Sequence, residues 1–285
     1  PVSTIAASTE YPRRGRGAAA TRLCARAPRP RRYVPVGTSL KRLDTRTGVL
    51  LWTVETDSFV VGTPAASLDG RTIFVGSIDS RVYAINAADG RVKWRRKTGG
   101  PVEAGVVVRK SLVLAGSHDG SVHALGALKG EPRWTADCGA PVHALLQESG
   151  RLLASTFQGV RAFDPDDGAA RWTSDAPAGV RWSRAVAAGD EVVVAGSDLK
   201  LYALGFGDGR PRWVHASANF LQAPASSDGV LYAVSRDKRV AALALERISR
   251  ESELDDAKVA VLREARARLD AEKASATTTG NFGLL

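Results

Sequence analysis

Between about residue 34 and residue 245, short runs of apolar and β-branched residues alternate with breaks that contain Gly, Asp or Asn. In one stretch, Thr63 to Ser67, Thr72 to Gly76, Arg81 to Asn86 and Val92 to Arg96 read as strands. Leu68-Asp69-Gly70, Asp79-Ser80 and Ala88-Asp89-Gly90 read as the turns between them. β-Branched and aromatic side chains suit a pleated surface, and glycine supplies the positive φ of tight turns. The predicted unit is a four-stranded antiparallel meander.

The unit recurs. Trp52, Trp94, Trp134, Trp172 and Trp213 follow one another at intervals of 42, 40, 38 and 41 residues. Four residues before each stands a glycine (Gly48, Gly90, Gly130, Gly168, Gly209), and nine before each an apolar residue (Leu43, Ile85, Leu125, Phe163, Leu204). A small sheet cannot bury both faces alone, so units of this length must stack around an axis, which predicts an all-β propeller over residues 36–246. Four units are complete. Tyr33 to Val54 adds two or three strands, and Gln222 to Leu245 adds three without a tryptophan strand. Six blades result if both partial units stand alone and five if the Trp52 strand completes the last one; a fragment of an eight-bladed parent is the third alternative.

The segment Gly76 to Trp94 resembles the pyrroloquinoline-quinone (PQQ) type, BamB-like propeller repeat; Gly116 to Trp134 and Gly196 to Trp213 follow it closely, and Ser155 to Trp172 more loosely. The resemblance implies that the repeat tryptophans dock between neighbouring blades. It is specific for fold and weak for activity, because enzymes, sensors and scaffolds share the repeat.

Outside the repeats the pattern changes. Residues 1–35 hold eight arginines and one acid, a basic leader of transit-like or unstructured composition. The leader accounts for +7 of the net charge of +10, leaving 10 − 7 = +3 for the other 250 residues. So nearly neutral a body argues against nucleic acid as a partner. The leader suggests an organelle, plastid or mitochondrion, whereas the repeat family suggests the bacterial periplasm. With no methionine, the sequence reads as a processed or incomplete form. Over 249–273 the period becomes helical: Leu254, Val261, Leu262, Ala265 and Leu269 share a face, an apolar stripe suited to another protein subunit. Residues 274–285 read as a flexible tail. No apolar run approaches the roughly 20 residues a membrane-spanning helix needs.

Candidate chemistry is sparse. Cys24 and Cys138 are far apart and read as free thiols, and no Cys/His spacing suits a metal. By the resemblance, a quinoprotein dehydrogenase would need a calcium site, a catalytic aspartate and usually adjacent cysteines, none of which is found. No catalytic residue and no cofactor is therefore expected. His118 and His123 take the places of Ile78 and Tyr83 in the repeat. Thr63, Glu103, His143, Arg184 and Gln222 fall at innermost positions and are expected to line a common channel. Trp182 lies outside the repeat register, flanked by Arg181 and Arg184, and is the best candidate for a contact anchor beside an equal claim to a packing role; as an anchor, Trp182→Ala is expected to cost less stability than Trp94→Ala. The expected function is a non-enzymatic scaffold or protein-interaction subunit of a larger assembly. The alternatives are a small-molecule-sensing propeller or a degenerate quinoprotein dehydrogenase.

Overall fold

A computed structural model of the chain describes residues 32–216, 224–227, 229–234 and 240–244. The predicted helix over 249–273 with its Leu254, Val261, Leu262 and Leu269 stripe, the tail, Cys24 and Gln222 lie outside the described residues. Among those described, the regular structure is β throughout, with no helix.

The strands form six antiparallel sheets, each a meander in chain order. The first holds β1 (Arg32–Val36), β2 (Ser39–Leu43) and β3 (Leu50–Glu55). The second holds β4 (Ala65–Ala66), β5 (Thr72–Ser77), β6 (Arg81–Asn86) and β7 (Val92–Lys97), and the third β8 (Val106–Arg109), β9 (Leu112–Gly116), β10 (Ser121–Gly126) and β11 (Pro132–Asp137). The fourth holds β12 (Val142–Glu148), β13 (Arg151–Thr156), β14 (Gly159–Phe163) and β15 (Ala170–Asp175). The fifth holds β16 (Val186–Ala188), β17 (Glu191–Ala195), β18 (Lys200–Gly205) and β19 (Pro211–Ala216), and the sixth β20 (Ala225–Ser227), β21 (Val230–Val234) and β22 (Val240–Ala244).

Two boundaries differ from the sequence expectation. The first strand begins at Arg32, inside the segment read as leader, because Tyr33 and Val34 pair with Arg42 and Lys41 of β2. The innermost strand of the second sheet is only Ala65–Ala66, where Thr63 to Ser67 was expected; only these two residues pair with β5.

The middle strands are apolar on both sides because each is covered twice. In β5, Ile73 and Val75 pack with Leu40 and Val54 of the first sheet, while Phe74 packs with Val113 and Leu125 of the third. Likewise Leu114 meets Leu152 and Phe163, Leu153 meets Val192 and Leu204, and Val193 meets Leu231. Alternate side chains of one strand thus bury against opposite neighbours, which is why these strands read as continuous hydrophobic runs.

The repeat tryptophans make the same contact at four junctions. The indole N–H of Trp94 donates to the Ala127 carbonyl at 3.1 Å, that of Trp134 to Asp166 at 3.1 Å and that of Trp172 to Phe206 at 3.1 Å. Trp52 donates to Ala87 at 3.3 Å. Each ring also lies against the glycine of the next sheet: a methyl group would stand 3.0 Å from Trp52 at Gly90, 2.7 Å from Trp94 at Gly130 and 2.6 Å from Trp134 at Gly168. The repeated glycine therefore has two causes, a positive φ in the turn and an indole against its face. Trp213 departs from the series, donating to the Glu191 carboxylate of its own sheet at 2.9 Å.

Candidate channel-mouth site

The loops that lead from the last strand of one sheet to the first strand of the next are tied to the turns between second and third strands. Ile78 N–H donates to the Phe59 carbonyl, His118 to Pro101, Trp182 to Phe157 and Ser197 to Arg181, at 2.8 to 3.0 Å. These loops and turns therefore emerge together, on one face, around the innermost strands.

Within the turns the repeat supplies its own support. The Tyr83 hydroxyl donates to Asp79, the Tyr202 hydroxyl to Asp198, and the His123 ring bonds Asp119 at 2.8 Å, each pair four residues apart. His123 thus occupies the tyrosine position and performs its structural task. Cys138 is buried, and desolvation pushes its thiol up to about 12, which keeps it unreactive at neutral pH.

A cavity of about 600 Å³ opens among the innermost strands, lined in part by Thr63, Glu103, His143, Arg184 and Ser226. These residues come from five different sheets, so the expected channel residues that are described do share one space. Thr63, Glu103 and Arg184 stand just ahead of β4, β8 and β16, where the chain turns inward; His143 lies in β12. Glu103 Oε2 is 3.4 Å from His118 Nε2. The remaining walls are aliphatic, including Val106, Val107, Leu145, Leu146 and Val186.

His143 stacks on Phe157 with ring centroids 4.3 Å apart and planes 15° from parallel. The Arg181 guanidinium stands over the same Phe157 ring at 4.1 Å. The His143 pKa is lowered to about 4, chiefly by desolvation; the Ser183 backbone opposes the shift from outside hydrogen-bonding geometry, and the neighbouring His118 ring and Arg181 add smaller depressions. The imidazole is therefore neutral at pH 7.

This makes a pH prediction. An unfolded histidine binds a proton near pH 6.5, whereas the folded one refuses it until about pH 4. In that window the unfolded state holds the extra proton, so stability falls as pH drops through it. The shift would amount to about 3 kcal/mol for a dry site, and partial solvent access reduces this to about 1–2 kcal/mol. Denaturant melts at pH 7.5 and pH 4 should show wild type losing that much more than His143→Gln; equal losses would show that the imidazole is not the group responsible.

Trp182 corrects the sequence reading. It is 2% exposed, bridges to Gly196, and packs with Trp172, Val194 and Tyr202, whose ring centroid is 5.5 Å away. It is a packing residue between the fourth and fifth sheets and presents no surface to a partner. The exposed neighbours are Arg181 and, across the turn, Phe157, which the sequence reading did not single out. The signal was present: Phe157 takes the turn position of Ile78 and His118, so a large apolar side chain was bound to emerge beside the channel.

Among the described residues, no group of three or more His, Cys, Asp or Glu could hold a metal, and no helix is long and apolar enough to cross a membrane.

Comparison with known proteins gives the same architecture. The family profile described as outer membrane protein assembly factor BamB matches residues 37–159 and 156–280. BamB from Moraxella catarrhalis superposes with a TM-score of 0.63 at 20% identity, over 74% of this chain and 70% of that one. The computationally designed Ika8 protein superposes with a TM-score of 0.66 at 17% identity, over 74% and 68%. Protein Rv3035 of Mycobacterium tuberculosis is 43% identical over 49 residues, 17% of this chain and only 12% of the mycobacterial protein's length. The repeated indole-on-glycine contacts, the six meanders and the profile match over most of the sequence establish that the chain belongs to the PQQ-repeat, BamB-like β-propeller family.

Proposed function

We propose that the chain is a non-enzymatic interaction subunit in which a propeller, read as six blades, presents its channel-mouth face to another protein. The observation that carries this reading is the distribution of phenylalanines. Phe74, Phe163 and Phe206 are buried, whereas Phe59 and Phe157 are 57% and 42% exposed, and both stand on the face built from the interblade loops and inner turns. Val61, 60% exposed, lies two residues beyond Phe59. Exposed aromatic rings beside an arginine are the composition of an interface centre. The stacks with His143 and Arg181 hold Phe157 in place before any partner arrives, so little side-chain freedom is lost on binding.

The family description, an outer membrane protein assembly factor, supports a role in contact with other proteins and a compartment beside an outer membrane. An organelle placement rests on the basic leader alone.

The double variant Phe59→Ser/Phe157→Ser should keep the wild-type melting temperature within a few degrees and lose co-purification of the native partner from the source cells. Retained association would place the interface elsewhere. Turnover of an alcohol or sugar on addition of PQQ and calcium would overturn the non-enzymatic reading altogether.

A further inference from the structure

The cavity behind the mouth has a charge arrangement that an interaction surface does not use. Three consecutive sheets contribute three different polar groups to it: Glu103 from the third, His143 from the fourth and Arg184 from the fifth. Neither ring nitrogen of His143 has a hydrogen-bond partner in the protein, although both are shielded from solvent. Arg184, among the described residues, has no carboxylate within ion-pair distance, and Glu103 faces only the His118 ring. Polar groups lining a concave space ordinarily satisfy one another; here an anion, Glu103, and a cation, Arg184, line the same space without pairing with each other. Between them lie aliphatic side chains from Val107, Leu145 and Val186.

We propose that this cavity binds a small zwitterion of the size of an amino acid or dipeptide, its carboxylate on Arg184, its ammonium on Glu103 and its apolar body against the aliphatic wall. The guanidinium fork suits a planar carboxylate, and a carboxylate accepts from an ammonium, so each end of such a ligand meets the group it pairs with most strongly. His143, kept neutral by its burial and with both ring nitrogens shielded, adds no third charge to the space. A ligand with a single charge would leave one of the two opposite charges without its counterpart. A space of about 600 Å³ is ample for a dipeptide and lies within the usual range of ligand cavities. The proposal does not rest on the protein-interaction reading: although Val61 lines the cavity and His143 stacks on Phe157, the two charged groups it needs, Glu103 and Arg184, are not the exposed phenylalanines, and either reading can fail alone.

Calorimetric titration of the full chain with leucine and with glycyl-leucine tests it, alongside N-acetyl-glycyl-leucine and glycyl-leucinamide. Binding of a free zwitterion, with each cap weakening it by about tenfold or more, is the expected result. Arg184→Gln should erase the distinction between acid and amide, and Glu103→Gln the distinction between free and acetylated amine, with Arg184→Lys and Glu103→Asp partly restoring them. Melting curves establish that each variant is folded, and the conservative pair decides the matter should a Gln variant fail to fold. No binding by either zwitterion overturns the proposal, as does equal affinity for capped and free forms. Sensitivity to the amide cap alone marks a simple anion site and also overturns it.

Discussion

Trp182→Ala is expected to lower the stability of the propeller by about 3–5 kcal/mol, the loss typical of a large aromatic ring removed from a packed interior. The ring is 2% exposed and fills the junction of the fourth and fifth sheets against Trp172, Val194 and Tyr202. Trp94, only half-buried at its own junction, should cost less when truncated, the reverse of the order expected from sequence. Trp182→Phe supplies the control. The Trp182 N–H has no acceptor in the protein, so removing it while keeping an aromatic ring should cost well under half of the alanine loss. Chemical denaturation of the three variants checks the order; a Trp182→Ala loss below that of Trp94→Ala would return Trp182 to the surface role.

Gly130→Ala is expected to cost about 2–5 kcal/mol, although it adds a single methyl group. Gly130 has a φ of +69°, a conformation costing an alanine about 1–2 kcal/mol, and the new methyl would stand 2.7 Å from the Trp94 ring. Relieving that overlap moves the indole off the Ala127 carbonyl and adds an overpacking cost of about 1–3 kcal/mol. Gly150→Ala separates the two causes. Its φ is +78°, but nothing lies within 4 Å of the added methyl, so it should lose only the conformational part. Equal losses at the two positions would show that the indole contact constrains nothing.

Much of the fold was legible because the repeat ties a turn to a packing contact. A tryptophan and the glycine four residues before it belong to one hairpin, but in space Trp52, Trp94, Trp134 and Trp172 each sit on the glycine of the following sheet, so the shared period announces both the blade and its junction. What stayed hidden was burial at irregular positions. Trp182 lies in a loop between two arginines, a setting that reads as surface; it is buried because its backbone bridges to Gly196 and donates to Phe157, neither of which any periodicity records. Phe157 was missed for the converse reason. A phenylalanine inside a repeat reads as core, yet a one-residue shortening of the turn against Ile78-Asp79-Ser80 does not alter where that side chain emerges. The common channel of Glu103, His143 and Arg184 was legible from register alone, whereas the absence of protein partners for the His143 nitrogens required coordinates.

The junction contacts have a direction. The second, third and fourth sheets each offer an indole N–H on their last strand and, in the turn before that strand, a carbonyl and a glycine that receive the indole of the preceding sheet. Donor and receiver are both encoded within one unit of about forty residues, and none of these four indole contacts draws on a third unit. A gene segment encoding such a unit can be duplicated or excised whole, since every new junction is assembled from the same two halves as the old. Blade number is therefore the property of this architecture most open to change in descent, while the hairpin that carries both halves of the joint can vary least.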